Sequence, residues 1–312
     1  MSAPRDLSSA PIPLIMGPTG AGKTDLALEL AARHPIEIVS VDSAMVYRGM
    51  DIGTGKPPPE ILRQVPHHLV DILDPSERYS AGQFVRDARR AIDDIRSRGK
   101  LPLLVGGTML YFRALRRGIA DMPAADARIR REIDREAAER GWPALHAELA
   151  VADPISASRI RPNDAQRIQR ALEVYRLTGK TLTELHAAQP RDQDLRFAAF
   201  AWVPSDRERL YAAIERRFEN MMRQGFLEEV RRLYERGDLD PDLPALRSVG
   251  YRQLWEHLSG KDALESAMRR AVIATRHLAR RQLIWLRSEP DLTWIDALES
   301  SAAAQMDRSL SR

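Results

Sequence analysis

Apolar and polar positions along this 312-residue chain follow two different rhythms. In the first, short, largely apolar runs stand between longer amphipathic stretches. The runs are Ile12-Pro13-Leu14-Ile15-Met16, Ile36–Val41 and Leu101–Val105, and their length and boundaries predict strands buried on both faces. Asp25–Ala32 and Tyr79–Arg98 predict helices. In the second of these, Phe84, Ala88, Ala91, Ile92 and Ile95 recur at helical spacing before Gly99 ends the pattern. From Pro123 to Pro190 the rhythm changes. Ala124–Arg140 and Asn163–Thr178 read as helices, with breaks at Gly141-Trp142-Pro143, Asp153-Pro154 and Thr178-Gly179-Lys180, and no strand intervenes. Strand pattern returns at Arg196–Val203 and again at Leu292-Thr293-Trp294-Ile295. Between them, Asp206 caps a long helix whose core stripe runs through Leu210, Ile214, Phe218, Met221, Met222 and Leu227, Arg247–Arg252 reads as a short turn, and Lys261–Arg287 forms another helix. Residues from Ala297 onward read as a frayed tail. There is no internal repeat.

The first strand runs into Gly17-Pro18-Thr19-Gly20-Ala21-Gly22-Lys23-Thr24, and a helix follows at once. Gly17, four further residues and then Gly22-Lys23-Thr24 form a loop whose backbone N–H groups and helix N-terminus cradle phosphates. Lys23 adds a point charge, and the Thr24 hydroxyl is suited to hold Mg²⁺. The strand order along the chain and this loop predict an α/β fold: a P-loop NTPase-like parallel sheet flanked by helices, with an inserted all-helical domain. The expected division is 1–122 for the first part of the core, 123–190 for the helical insertion, and 191–312 for the rest of the core with basic C-terminal helices.

Ligands of open α/β sheets bind beyond the carboxyl ends of the strands. Asp42 stands there after the second strand, and a Mg²⁺ ligand, a general base and a helix N-cap are all open to it. After the third strand come Gly106-Gly107-Thr108, where a P-loop ATPase would carry an acid for Mg²⁺. Tyr47–Pro59 has three glycines and three prolines and reads as a loop at the rim of the sheet. His67 and His68 are adjacent in an extended segment, point to opposite faces and suit structural roles better than joint metal ligation.

Composition narrows the chemistry. The chain has no cysteine, which excludes disulfides, thiolate nucleophiles and Cys-ligated zinc. No apolar run approaches membrane-spanning length and Met1–Pro11 has no apolar leader core, so a cytoplasmic protein without a membrane partner is expected. Net charge is +4, yet Ala245–Arg287 carries nine Lys or Arg against three Asp or Glu, while Pro123–Pro190 has eleven against ten. Such a basic block suits a nucleic-acid partner. Only five of the 48 basic residues are Lys, so the arginine excess also fits a compositional bias.

Taken in order, the motifs resemble those of the bacterial tRNA dimethylallyltransferases (tRNA isopentenyltransferases). The matching pieces are Gly17–Thr24, Val41-Asp42-Ser43 with Val46–Thr54, Pro66–Leu69, Val105–Thr108, Gln166–Arg170 and Arg247–Tyr251, spread over almost the whole chain. Gly20-Ala21 and Met45 depart from the family's usual residues. The first change keeps every backbone donor; the second bears on contacts to the target base. The resemblance implies transfer of a dimethylallyl group from dimethylallyl diphosphate to the exocyclic amine of the adenine 3′ to the anticodon, with release of diphosphate. It implies that Gly17–Thr24 bind a diphosphate or nucleotide, that Thr24 holds Mg²⁺, and that Lys23 and Arg217 (or Arg216) stabilise the leaving group. By the same resemblance Asp42 is the general base and Thr108 a substrate contact. The implied tRNA contacts are Asp42, Ser43, Ala44, Met45, Thr108, Arg130, Gln166, Arg167, Ile168, Gln169, Arg170, Arg247, Ser248, Val249, Gly250, Tyr251 and Arg252. The partner is the anticodon stem-loop, and a monomer is expected. Two alternatives share the loop: a nucleotide or small-molecule kinase, which predicts ATP turnover, and a non-catalytic RNA-binding protein gated by nucleotide.

Overall fold

The structure, a computed structural model, describes residues 10–118, 120, 122–188 and 194–311. They form two compact units: the described residues up to 116 together with those from 194 onward, and those from 117 to 188. The junction expected at 190/191 lies outside the described residues.

The first unit is a six-stranded, wholly parallel sheet in the order β3-β2-β4-β1-β5-β6. In chain order its elements are β1 (Ile12–Met16), α1 (Lys23–Ala31), β2 (Ile36–Val41), α2 (Pro59–Gln64), β3 (His67–His68), α3 (Ala81–Ser97), β4 (Leu101–Gly106) and α4 (Met109–Arg117). The alternation of a pleated strand sorts its residues onto two faces. Ile12, Leu14 and Met16 pack with Phe84, Ala88, Ile92 and Ile95 of α3 on one side, while Ile15 packs with Leu26, Ala27 and Leu30 of α1 on the other. Ser80 and Gln83 close the N-terminus of α3 as a capping box.

After the helical unit come β5 (Phe197–Val203), α10 (Arg207–Arg223), α11 (Phe226–Glu235), α12 (Tyr251–Leu258), α13 (Leu264–Arg287), β6 (Thr293–Asp296) and α14 (Ala302–Ser311). Three sequence readings are corrected here. The helix begun by Asp206 stops at Arg223, Gly225 separates it from α11, and Leu227 belongs to the second helix. Arg247–Arg252 is not a turn throughout, because Tyr251 and Arg252 already open α12. The C-terminus is not frayed: Ala302, Met306 and Leu310 recur every four residues on α14 and bury themselves against α1 and the sheet. A single narrow stripe in an alanine-rich segment gives little amphipathic signal until the sheet supplies its partner.

The helical unit contains α5 (Ala127–Arg140), α6 (Trp142–Ala152), α7 (Pro154–Arg159), α8 (Ala165–Thr178) and α9 (Leu182–Ala187). Its core joins Ile129, Ile133, Leu145, Leu149, Ile168 and Leu172. The breaks at Gly141-Trp142-Pro143 and Asp153-Pro154 are real, but each prolyl residue also lies in the first turn of the next helix, where its missing N–H has no cost.

Candidate active site

The phosphate loop leaves β1 at the centre of the sheet. A Cβ placed on Gly17 would stand 2.3 Å from the Trp202 carbonyl oxygen, so only glycine lets the loop start this close to β5. Trp202 also fixes the far side of the loop, its Nε1 donating to the Ala21 carbonyl at 2.8 Å. Lys23 turns back over the loop and donates to the Pro18 carbonyl at 2.7 Å. Burial, and secondarily the Arg217 cation, pull its pKa down to about 7 against the opposing pull of Asp42.

Two cavities meet above this loop. The smaller, about 90 Å³, is lined by Lys23, Thr24, Ala27, Ile38, Ser40, Met45 and His67 among others. The larger, about 520 Å³, opens over Ser43, Ala44, Thr108, Arg247, Ser248, Val249 and Arg281. Thr19, Asp42, Thr54, Gly107, Arg217 and Gln282 line both and form the waist between them.

The Asp42 carboxylate does two things at once. Its Oδ1 accepts from the Ala44 and Met45 backbone N–H at 2.8 and 3.3 Å, as an N-cap would, while Oδ2 takes no hydrogen bond among the described residues and the residue lines the waist. Thr108 stands beside it, its hydroxyl accepting from the Ser43 N–H at 3.1 Å. Arg217 reaches into the waist and donates to the Thr54 carbonyl at 3.2 Å; burial opposes its charge, and Asp42 and Asp25 favour it. Arg216, one residue away, is exposed and lines neither cavity.

Several residues expected at the RNA are placed differently. Tyr251 is wholly buried, its hydroxyl donating to Glu229 Oε1 at 2.5 Å, and it has no ring face free to stack on a base. Gly250 is buried as well, while Arg252 is exposed and pairs with Glu256. Met45 lines the smaller cavity, not the larger one, with the Ser40 hydroxyl 3.6 Å from its sulfur. In the helical unit Ile168 is core. Gln166 and Arg167 are exposed, and Gln169 donates to Asp134. Arg130 and Arg170 converge on Glu173, whose side chain is wholly buried; Arg130 Nε lies 2.8 Å from it, Arg170 Nη1 2.7 Å and the Asp126 N–H 2.9 Å. On α12 and α13 the basic excess divides. Arg252, Arg269, Arg270 and Arg276 are in ion pairs, whereas Arg247, Arg280, Arg281 and Arg287 form none among the described residues.

Three residues of the site were given no role by the sequence. Thr54 and Gln282 belong to the waist, and Glu229 holds the rim loop by accepting from the Asp51, Ile52 and Gly53 N–H at 2.9, 2.8 and 3.0 Å. A signal existed for two of them. Gln282 shares the buried stripe of α13 with Ala279 and Leu286, and Glu229 that of α11 with Phe226, Val230 and Leu233. A polar group on an otherwise apolar stripe is a local conflict that a bonded site resolves. His68 Nε2 donates to Glu37 Oε2 at 2.7 Å, as a structural residue, and no group of three or more potential metal-binding side chains exists among the described residues.

A parallel sheet with a phosphate loop at its centre and a two-sided cleft, with an acid and an arginine at the waist and a lysine in the smaller cavity, defines a P-loop-type α/β enzyme that handles a phosphorylated substrate. The chain matches the family model for IPP transferase over residues 45–289 and that for isopentenyl transferase over residues 10–71. It is 53% identical over 304 residues to a tRNA dimethylallyltransferase of Cupriavidus necator, covering 96% of this chain and 94% of that one. Among solved structures it resembles the full-length tRNA isopentenylpyrophosphate transferase of Bacillus halodurans, with 35% identity, a TM-score of 0.70 and coverage of 96% and 95%. It also resembles a eukaryotic dimethylallyltransferase acting on tRNA, with 29% identity, a TM-score of 0.81 and coverage of 97% of this chain and 79% of that one. The chain belongs to the IPP transferase family. The kinase alternative finds no support among these likenesses.

Proposed function

We propose that this protein transfers a dimethylallyl group from dimethylallyl diphosphate to the exocyclic amine of the adenine 3′ to the anticodon of tRNA, giving isopentenyladenosine and diphosphate. The observation that carries this reading is the waist: Asp42 and Arg217 line both the cavity that holds Lys23 and Thr24 and the larger cavity beyond. A donor seated on the phosphate loop and an acceptor in the larger cavity would therefore meet at one carboxylate.

As the allylic C–O bond breaks, negative charge grows on the diphosphate. Lys23 and Arg217 line the cavity over the loop where that charge would develop, and charge gathered there in advance is usually the largest catalytic contribution. The exocyclic nitrogen bonds to the allylic carbon, and the free Oδ2 of Asp42 accepts its proton. Mg²⁺ fits the donor set. The Thr24 hydroxyl lines the small cavity over the loop, and Mg²⁺ sites in phosphate enzymes draw one or two ligands from the protein and the rest from phosphates and water. When bound, the ion neutralises charge on the diphosphate.

The larger cavity, about 520 Å³, has room for a nucleobase. Taking an adenine out of an anticodon stack costs roughly a few kcal/mol. The free cations Arg247, Arg280 and Arg281, and Arg130, Gln166, Arg167 and Arg170 on the helical unit, would supply the RNA contacts that offset this. No helix among the described residues is long and apolar enough to cross a membrane, and the reading takes the protein as a cytoplasmic monomer. Purified protein with Mg²⁺ and no ATP should move label from dimethylallyl diphosphate to unmodified tRNA. An absolute requirement for ATP would overturn the reading.

A further inference from the structure

Gln282 is a waist side chain for which prenyl transfer, as set out above, supplies no task. It lies on the buried stripe of α13 and is only 8% exposed. Its Oε1 accepts from the Thr19 N–H of the phosphate loop at 2.9 Å, and its Nε2 donates to the Gly107 carbonyl just past β4 at 2.8 Å. Gly107 is shaped to this contact, since a Cβ there would stand 2.3 Å from Nε2. Packing alone does not ask for an amide, because a methionine of similar length would fill the same volume.

We propose that Gln282 is a positioning residue that clamps the phosphate loop to the end of β4 and so keeps the donor and acceptor sides of the waist in register. The clamp continues past its two ends. Gly107 precedes Thr108, whose hydroxyl accepts from the Ser43 N–H, and Ser43 follows Asp42. One bonded path thus runs from the loop that holds the leaving group to the carboxylate that takes the proton, with Gln282 as the side-chain link between Thr19 and Gly107, beside the backbone bond from the Gly17 N–H to the Gly106 carbonyl at 3.3 Å. A displacement of about 1 Å between reacting groups can cost ~100-fold in rate, so a clamp of this kind acts on turnover more than on affinity. It needs an acceptor at one end and a donor at the other, which an amide provides and a carboxylate does not.

The inference rests on the prenyl-transfer reading, and its test separates the two. Wild-type protein, Gln282→Met and Gln282→Glu are compared in single-turnover transfer of dimethylallyl to tRNA, in binding of tRNA and of inorganic pyrophosphate with Mg²⁺, and in thermal melting. Gln282→Met should transfer ~10- to 100-fold more slowly, with both affinities within about 3-fold of wild type and the protein folded at the assay temperature. In Gln282→Glu the neutral acid restores both bonds and the carboxylate loses the donor to Gly107. Its rate relative to wild type should therefore rise as pH falls from 8.5 to 6, by up to about 10-fold per pH unit across its titration. Wild-type transfer accompanied by an equal rate in Gln282→Met overturns the clamp alone. So does a rate loss fully explained by weaker pyrophosphate or tRNA binding, which would make Gln282 a ligand. Should Gln282→Met not fold, the Glu variant decides by itself, and a pH-independent ratio overturns the clamp. A wild-type protein that transfers nothing to tRNA overturns both readings.

Discussion

In the α/β unit, Lys23 and Arg217 share one partly engaged carboxylate, Asp42, and burial works against the charge of both cations. In the helical unit the balance is reversed. Glu173 is wholly buried, yet two guanidinium groups and a backbone N–H satisfy it and hold its carboxyl below the usual range against the opposing effect of burial. The first arrangement holds charge unmatched until an anionic ligand arrives, and perturbed, under-compensated groups in a cleft are the mark of a chemical site. The second is closed on itself and presents rigid arginine side chains, which suits docking better than chemistry. Loss of a group in the first unit should therefore appear in turnover, and loss of a group in the second in RNA affinity.

The sharpest way to break that contrast is Asp42→Asn. The amide oxygen can still accept from the Ala44 and Met45 N–H, so the turn survives while the proton acceptor is lost. Single-turnover transfer should fall at least ~100-fold, with tRNA and pyrophosphate affinity within a few-fold. Near-normal transfer would remove Asp42 as the base, and recovery at high Mg²⁺ would recast it as a metal ligand.

A smaller effect comes from Lys23. With its pKa near 7 in the free protein, it is charged below that pH and loses its proton above it, whereas a bound diphosphate favours the charged form. Binding above pH 7 must therefore take up a proton. Pyrophosphate affinity relative to Lys23→Arg should be flat below pH 7 and decline by up to about 10-fold per pH unit above it. Calorimetry in buffers of different ionisation enthalpy reads the proton uptake directly, and a flat ratio throughout would show that Lys23 stays charged.

The smallest effects compare the two basic surfaces. Glu173→Gln should cost about 1–3 kcal/mol of stability by leaving Arg130 and Arg170 short of an acceptor. It should weaken anticodon stem-loop binding while leaving transfer at saturating RNA unchanged. Replacing Arg280 and Arg281 with Ala should reduce the salt dependence of RNA binding by up to about two counterions. An unchanged slope would mean that the arginine excess of this block is compositional, and a lower rate at saturating RNA in Glu173→Gln would erase the division of labour between the units.

Much of this was legible in the sequence because it is local. Phosphate loops and buried parallel strands are specified by neighbouring residues, and β1 and β2 fall on the residues their apolar runs mark. The stripe of α3 and the caps at Asp206 and Ser80 are equally local. Asp42 was marked by its place at the end of a strand, although its double duty as turn cap and free acceptor was not.

What the tertiary structure alone decided are the pairings between residues far apart in the chain. Gln282 meets Thr19 across 263 positions, Glu229 meets the rim loop across 176 to 178, and Arg130 meets Glu173 across 43. That Arg217 and not Arg216 lines the waist depended on which way α10 turns its faces, and the burial of Tyr251 and α14 on surfaces that exist only once the sheet has formed. Hydrophobic periodicity reports that a side chain is buried; the partner that satisfies a buried polar group is set by packing between elements, and no local pattern encodes it.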